Sequence, residues 1–247
     1  MLDLQTREDP VRGLEIFSRY SVKPGAPAIV LVHGLSISSR YEIPLARRLA
    51  VAFTVYAPDL PGFGQSDDPP SVPSIVELTS WLADWLDVVG LDRVMLVGNS
   101  LGANVAVELA LQEPDRVTHL VLSGLPLDPG GRQLWIQIAR TIRDVPREPL
   151  SLMPLHAKDF LVAGPGRVLM TLRDAMRDPF AAKLPHLMMP ALVIRGEHDP
   201  LSPPSWAEEV ARRLPNGRLA VIPGAPHATN YACPDQFAAL VEGCMTR

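Results

Sequence analysis

Cysteine is scarce in this chain of 247 residues, with only Cys233 and Cys244 present. Two thiols cannot build the disulfide framework of a small secreted scaffold, and no Cys/His cluster has metal-ligand spacing. Long apolar runs are missing too. No stretch approaches the ~20 apolar residues of a membrane span, and the opening MLDLQTREDP is charged where a secretory signal would be apolar. The chain is therefore expected to be cytoplasmic, without a membrane partner. A basic excess is also lacking. Lys and Arg number 23 against 27 Asp and Glu, a formal net charge of −4, which argues against nucleic acid as a partner. What the chain does have is apolar mass. At 47% hydrophobic and 20% charged residues, it can bury a large core, in one large domain or one domain carrying an insertion.

Short β-branched apolar runs alternate with helical patterns. Strands are expected over Leu14–Val22, Pro27–Gly34, Phe53–Leu60, Arg93–Ser100, Val117–Gly124, Ala191–Asp199 and Arg218–Ala225. Most are apolar at nearly every position, as in strands covered on both faces. Between them, Ser74 with Glu77 opens a helix that runs to Gly90, and Ser205 with Glu208 offers a second capping box. Such alternation predicts an α/β fold with a mostly parallel, doubly wound sheet, because parallel neighbours need crossover connections. The first strand or two can pair antiparallel. From Leu125 to Met189 the rhythm breaks into helical fragments punctuated by eight prolines. This predicts a helical lid over 125–189, inserted before the last two strands of a core made of 1–124 and 190–247. The insertion carries nine Arg or Lys against six Asp or Glu. Arg140, Arg143 and Arg147 recur beside Asp144 and Glu148, the pattern of a solvated helix face.

Gly98-Asn99-Ser100-Leu101-Gly102 sits where a strand ends and a helix begins. A sharp turn there strains the serine backbone and brings neighbouring chain so close that only glycine fits two residues to either side. The turn projects the hydroxyl above the sheet edge, beside the free N–H groups of a helix start. A serine hydroxyl is a weak nucleophile unless a base takes its proton and a carboxylate orients the base. Asp199 and His227 follow in the order Ser, Asp, His, each just past a strand on the edge where open α/β sheets bind ligands. This spacing predicts Ser100 Oγ within hydrogen-bond reach of His227 Nε2, and Asp199 close to Nδ1. Glu197 is the alternative acid. His198 is expected to be exposed, Asp67 and Asp68 to form turns, and His156 and His186 to take surface or pocket-lining places in the lid.

These residues, together with Leu31–Ser36 (LVHGLS), Ala57–Asp67 (APDLPGFGQSD), Ile194–Pro200 (IRGEHDP) and Gly224–Ala228 (GAPHA), make the chain similar to the α/β-hydrolase superfamily over nearly all of its length. The resemblance implies Ser100 as nucleophile, Asp199 as orienting acid and His227 as general base. It also implies the backbone N–H groups of Leu35 and Leu101 as oxyanion hole, His33 as a shaper of the loop that carries Leu35, and a lid where the prolines cluster. The loop reads His-Gly-Leu-Ser where many lipases have His-Gly-Gly-Gly, which points away from large lipid esters. Relatives with an aspartate nucleophile are set aside because the elbow carries serine.

The resulting expectation is a serine hydrolase acting on a carboxylic ester of small or medium size, with no cofactor, no metal and a small molecule as its partner. A carbon–carbon bond hydrolase acting on a vinylogous diketone acid is the enzymatic alternative, and a non-catalytic binding module is the alternative of another class. Thioester, lactone and haloperoxidase chemistry and the oligomeric state are left open by the sequence.

Overall fold

The structure, a computed structural model, describes residues 3–126, 128 and 133–245. Its strands are β1 (Gln5–Val11), β2 (Leu14–Ser21), β3 (Ala28–Val32), β4 (Thr54–Pro58), β5 (Val94–Asn99), β6 (Val117–Ser123), β7 (Ala191–Gly196) and β8 (Gly217–Ile222). They form one sheet in the order β1-β2-β4-β3-β5-β6-β7-β8. β1 with β2 and β2 with β4 pair antiparallel; every pair from β4 onward in that order is parallel. The seven expected strands are all present. β1 is an addition to them, and its three charges and Pro10 explain why periodicity missed it: an edge strand is wetted on one side and tolerates proline.

The helices are α1 (Ile43–Leu49), α2 (Ile75–Val89), α3 (Leu101–Gln112), α4 (Leu134–Asp144), α5 (Leu152–Ala163), α6 (Pro165–Arg177), α7 (Phe180–Lys183), α8 (Pro204–Arg213), α9 (Thr229–Ala232) and α10 (Pro234–Met245). In β3, Val30 and Val32 pack beneath α2, α3 and α8, with Leu82, Trp85, Val105 and Trp206 in that layer. Ile29 and Leu31 point the other way, against Leu45 and Leu49 of α1 and Phe237 and Val241 of α10. Both faces of the strand are therefore dry, and its apolar run is continuous for that reason. Among the described residues, no helix is long and apolar enough to cross a membrane.

Four of the helices, α4 to α7, lie in the chain between β6 and β7, where the insertion was expected; Arg132 of that stretch lies outside the described residues. α6 is tied to the core: Asp174 accepts the Ile75 N–H at 2.7 Å, and Arg167 pairs with Asp68 at 2.5 Å. α7 is tied through Lys183, which joins Asp178 to Glu108 of α3. α4 is wetter, and Trp135, Ile138 and Ile142 stand more than half exposed.

The Ser74–Glu77 capping box forms as expected, with both reciprocal hydrogen bonds in place at the start of α2. The expected box at Ser205 does not. α8 begins two residues earlier, with Pro203 as its N-cap and Pro204 as first residue, and no side chain caps it. Proline at the first helical position has its φ preset and lacks an N–H that would need a partner, so it outcompetes the serine as a start signal. Ser74→Ala should therefore cost ~1 kcal/mol in urea unfolding, whereas Ser205→Ala should be neutral to within ~0.5 kcal/mol. Equal costs at the two positions would contradict these helix starts.

Candidate active site

Ser100 occupies the turn between β5 and α3 with φ 54 and ψ −116, a left-handed conformation that costs a non-glycine residue ~1–3 kcal/mol. Packing forces it there. A Cβ on Gly102 would lie 2.0 Å from the Val32 carbonyl oxygen, and one on Gly98 would lie 2.4 Å from the Gly102 oxygen. The helix start is thus pressed directly onto β3 and β5. The Ser100 N–H is held by the Ser123 carbonyl at 3.0 Å, and Leu101 opens α3 with an N–H that has no partner one turn back.

Asp199 and His227 come together from the loops after β7 and β8. His227 Nδ1 donates to Asp199 Oδ2 at 3.0 Å, while Asp199 Oδ1 accepts the N–H groups of Leu201 and Ser202 at 2.8 and 3.1 Å. Burial would raise the Asp199 pKa, but His227 and these donors outweigh it and hold the carboxyl below its ordinary value. Asp199 is therefore ionised, and its bond to Nδ1 turns Nε2 away from it, on the other side of the ring. Ser100 and His227 line the same cavity. Ser100 Oγ makes no hydrogen bond to His227 as placed, unlike the expectation from spacing; contacts of this kind tighten when a substrate is bound.

Two chambers meet at these side chains. The larger, of about 260 Å³, is walled by Leu35, Ile37, Leu152, Met153 and Leu172 and by the polar side chains of Gln137, Asp144, Glu148 and His156. The smaller, of about 50 Å³, runs between Leu101, Leu125, Leu172 and Ala175. Leu35 borders both. His33, in front of it, is fully buried; its Nδ1 donates to the Gly34 carbonyl at 2.8 Å and its Nε2 accepts the Leu60 N–H at 3.0 Å. Both ring nitrogens are committed, and burial lowers the pKa, so His33 is a neutral tie between this loop and the exit of β4.

Sequence reasoning missed Asp144 and Glu148. They were expected on a solvated face with Arg140, Arg143 and Arg147, but both carboxyls point inward, Asp144 from the last turn of α4 and Glu148 from just past a 3₁₀ turn over Val145–Arg147. Asp144 Oδ1 accepts the His227 N–H at 3.4 Å and Glu148 Oε1 accepts the Ala228 N–H at 2.8 Å. Because the α-helix ends at Asp144, the i, i+4 spacing does not put the two on one helical stripe, and no local pattern marked them. The three arginines instead line a separate cleft of about 520 Å³ against Glu197 and His198. There Arg140 is paired with Asp128, and Arg143 and Arg147 are exposed. His198 and Glu197 are exposed, and the Glu197 carboxylate accepts the Gly224 N–H at 2.7 Å. Asp67 and Asp68, expected to form turns, instead follow one: the Asp67 side chain accepts the N–H of Glu15 in β2, and Asp68 pairs with Arg167. His156 lines the larger chamber, whereas His186 is exposed. Among the described residues, no group of three His, Cys, Asp or Glu is arranged to hold a metal ion.

Burial pushes the Glu148 carboxyl up, and the neighbouring Asp144 adds to it, to about 8; burial raises Asp144 as well. For His227, burial alone would lower the pKa. The Asp199 carboxylate, its hydrogen bond, and Asp144 and Glu148 override that and push the imidazole up to about 9. The folded chain thus holds this proton more tightly than the unfolded one. Its contribution to stability is complete below the ~6.5 of free histidine and is lost as pH rises through about 9. An NMR titration should place the His227 ring above 6.5 in the wild type and lower in Glu148→Gln; a midpoint at or below 6.5 would show that the carboxyls do not act on it.

Comparison with known proteins agrees with this architecture. Residues 29–240 match the model of the alpha/beta hydrolase family. An uncharacterised protein of Mycobacterium tuberculosis is 40% identical over 103 residues, which is 42% of this chain but only 30% of the mycobacterial protein. A Klebsiella pneumoniae protein named as the carbamate hydrolase RutD is 28% identical, over 87% of this chain and 89% of its own. The crystal structure of the enol-lactonase from Burkholderia xenovorans LB400 superimposes with a TM-score of 0.85 at 23% identity, covering 98% of this chain and all of that one. On the match of the family model across most of its length, the chain belongs to the alpha/beta hydrolase family.

Proposed function

We propose that the protein is a serine hydrolase that cleaves carboxylic esters of small or medium size through an acyl-enzyme. The observation that carries the reading is the hydrogen bond from His227 Nδ1 to an ionised Asp199, in a cavity that the same imidazole shares with Ser100 at a strained elbow. Ser100 Oγ attacks the ester carbonyl while His227 Nε2 takes its proton. The oxyanion is held by the N–H groups of Leu101, at the start of α3, and Leu35. His227 then gives the proton to the departing alcohol, activates water, and the acyl group leaves as an acid. Asp199 keeps the ring in the tautomer this sequence needs. The helices between β6 and β7 act as the lid, since Leu152, Met153, His156 and Leu172 wall the chamber.

The chamber also favours the ester over the diketone acid. A carbon–carbon bond hydrolase must desolvate a substrate carboxylate beside the reacting ketone, which needs a charge-assisted partner such as arginine. Here the wall near His227 is Asp144 and Glu148, and Arg140, Arg143 and Arg147 line another cleft. A volume of about 260 Å³ lies just below the ~300–1,000 Å³ of usual ligand pockets, so short acyl groups fit and long ones do not.

A fluorophosphonate probe should label Ser100 in the wild type, and Ser100→Ala should remove turnover without unfolding the protein. Neutral short-chain esters should have a higher kcat/KM than any diketone acid. If the diketone acid is the better substrate, the carbon–carbon reading replaces this one; if neither turns over and the folded protein resists the probe, the fold serves as a binding module.

The pH dependence follows from His227. A protonated ring cannot accept the Ser100 proton, and the ring is held above its ordinary value. The rate should therefore fall as pH drops through a limb that lies above ~6.5. Glu148→Gln removes a charge that favours the imidazolium, so the limb should move to lower pH. A limb that stays in place in this variant would mean that Glu148 is neutral whenever His227 titrates.

A further inference from the structure

α5 touches the loop after β3 at a place the chemistry above does not use. His156 and Asp159, one helical turn apart, face that loop together. His156 Nε2 lies 2.8 Å from Ser36 Oγ, Ser38 Oγ donates to Asp159 Oδ2 at 2.5 Å, and Arg40 pairs with Asp159 at 3.4 Å. From beneath, Asp59 Oδ1 accepts the Ser39 N–H at 2.6 Å. Ser36, Ser38, Ser39 and Asp159 are all buried, so these hydrogen bonds are made out of water, where an unmade partner is costly.

Ser36 follows Leu35 directly, and its φ is 58. A serine persists in that conformation only while its surroundings over-determine it. Relaxation to negative φ would rotate the Leu35–Ser36 peptide and, through the Leu35 Cα next to it, shift the Gly34–Leu35 peptide that carries the Leu35 N–H. The His156 ring is the side-chain partner of Ser36 Oγ, and burial keeps it neutral, below the ordinary histidine value. Asp159 supplies a separate anchor for α5, so the helix stays docked without the histidine.

We propose that His156 is a positioning residue: through Ser36 it holds the Leu35 N–H where a developing oxyanion needs it, which makes α5 part of the working site and not only its cover. This deepens the serine-hydrolase reading and rests on it. Oxyanion donors act only if they sit within a few tenths of an ångström of the right place, and loss of one costs ~10²–10³ in kcat. A displaced donor should cost part of that.

The experiment compares His156→Leu, His156→Gln, Ser36→Ala and the Ser36→Ala/His156→Leu double variant on a short-chain ester. It also measures binding of an alkyl boronic acid, whose tetrahedral adduct places an oxygen in the oxyanion position. His156→Leu should lower kcat about tenfold or more, leave KM within about threefold, and weaken the boronic acid by a factor similar to the loss in kcat. Glutamine, which keeps a polar nitrogen near the Nε2 position, should restore most of it. Ser36→Ala should mimic the leucine variant, and the double variant should be no worse than either single one. Should His156→Leu fail to fold, Ser36→Ala carries the same test. The proposal is overturned by kcat within about twofold of wild type, by a loss confined to KM, or by effects that multiply in the double variant. Fluorophosphonate separates the two levels. A labelled wild type with normal turnover in His156→Leu defeats the positioning role alone, and an unlabelled, folded wild type defeats the serine-hydrolase reading with it.

Discussion

The contact on which the candidate site depends is the one between the start of α3 and the end of β3, where Gly102 lies so close to the Val32 carbonyl that no side chain fits between them. Helices normally pack on a sheet at a distance set by their side chains. Here the first turn of α3 is pressed onto the backbone itself. That closeness bends the chain after β5 into the left-handed turn at Ser100, points the first N–H groups of the helix over the sheet edge, and sets them beside the loop that leaves β3. The strain of one serine is supported by a core in which α3 is buried along nearly its whole length. Removing it by relaxing the turn would require lifting that helix from the sheet.

Around the imidazole the governing constraint is charge. His227 meets three carboxyls: Asp199 on its Nδ1, and Asp144 and Glu148 against the backbone of its own loop. Such a cluster cannot hold three full negative charges at close range in a poorly hydrated cavity, so the groups titrate as a set, and protons are shared between the ring and the two inserted carboxyls. Asp199 is the exception. It has three stabilising neighbours, the His227 ring and the Leu201 and Ser202 N–H groups, and stays ionised. The arrangement gives one carboxylate a fixed charge for orienting the ring, and leaves the other two free to change charge with the state of the site.

The fold was legible in the sequence because its strands are dry on both faces, so that apolar runs in β3, β5 and β7 stand out against the helices between them. The elbow and the order of Ser100, Asp199 and His227 were legible for a local reason: each depends on residues within a few positions of a strand end. What could not be read was how α4 is rotated and that it ends at Asp144, before Arg147 and Glu148. Arg140, Arg143, Asp144, Arg147 and Glu148 fit a wet helix face as pure pattern, and three of the five do face outward. Rotation of a helix by one position exchanges which of two adjacent charged residues is buried, and nothing in the spacing decides between Arg143 and Asp144. The backbone N–H groups of His227 and Ala228, far away in sequence, decide it by offering donors that a carboxyl oxygen can accept and a guanidinium cannot. The edge strand β1 and the start of α8 were obscured by proline in the same way, since its meaning depends on whether a neighbouring strand or a helix dipole is present.

The two inward contacts of the segment between β6 and β7 are thus of different kinds. At the end of α4, carboxyls grip the loop of the proposed base, and along α5 a neutral histidine and an aspartate grip the loop of the proposed oxyanion amide. A segment attached to the sheet only at its chain ends would be free to vary in position by the sum of its side-chain gaps. This one is fixed at both working loops and, through Asp174 and Lys183, at α2 and α3. Displacing the segment breaks the hydrogen bonds of one of these sides. The α4 side is the weaker: its His227 contact is 3.4 Å long, the Glu148 carboxyl is pushed up to about 8, and its outer face leaves Ile138 and Ile142 in water. Release of α4, with α5 and α6 left in place, therefore breaks the weaker of the two attachments and leaves the loop of the proposed oxyanion amide held.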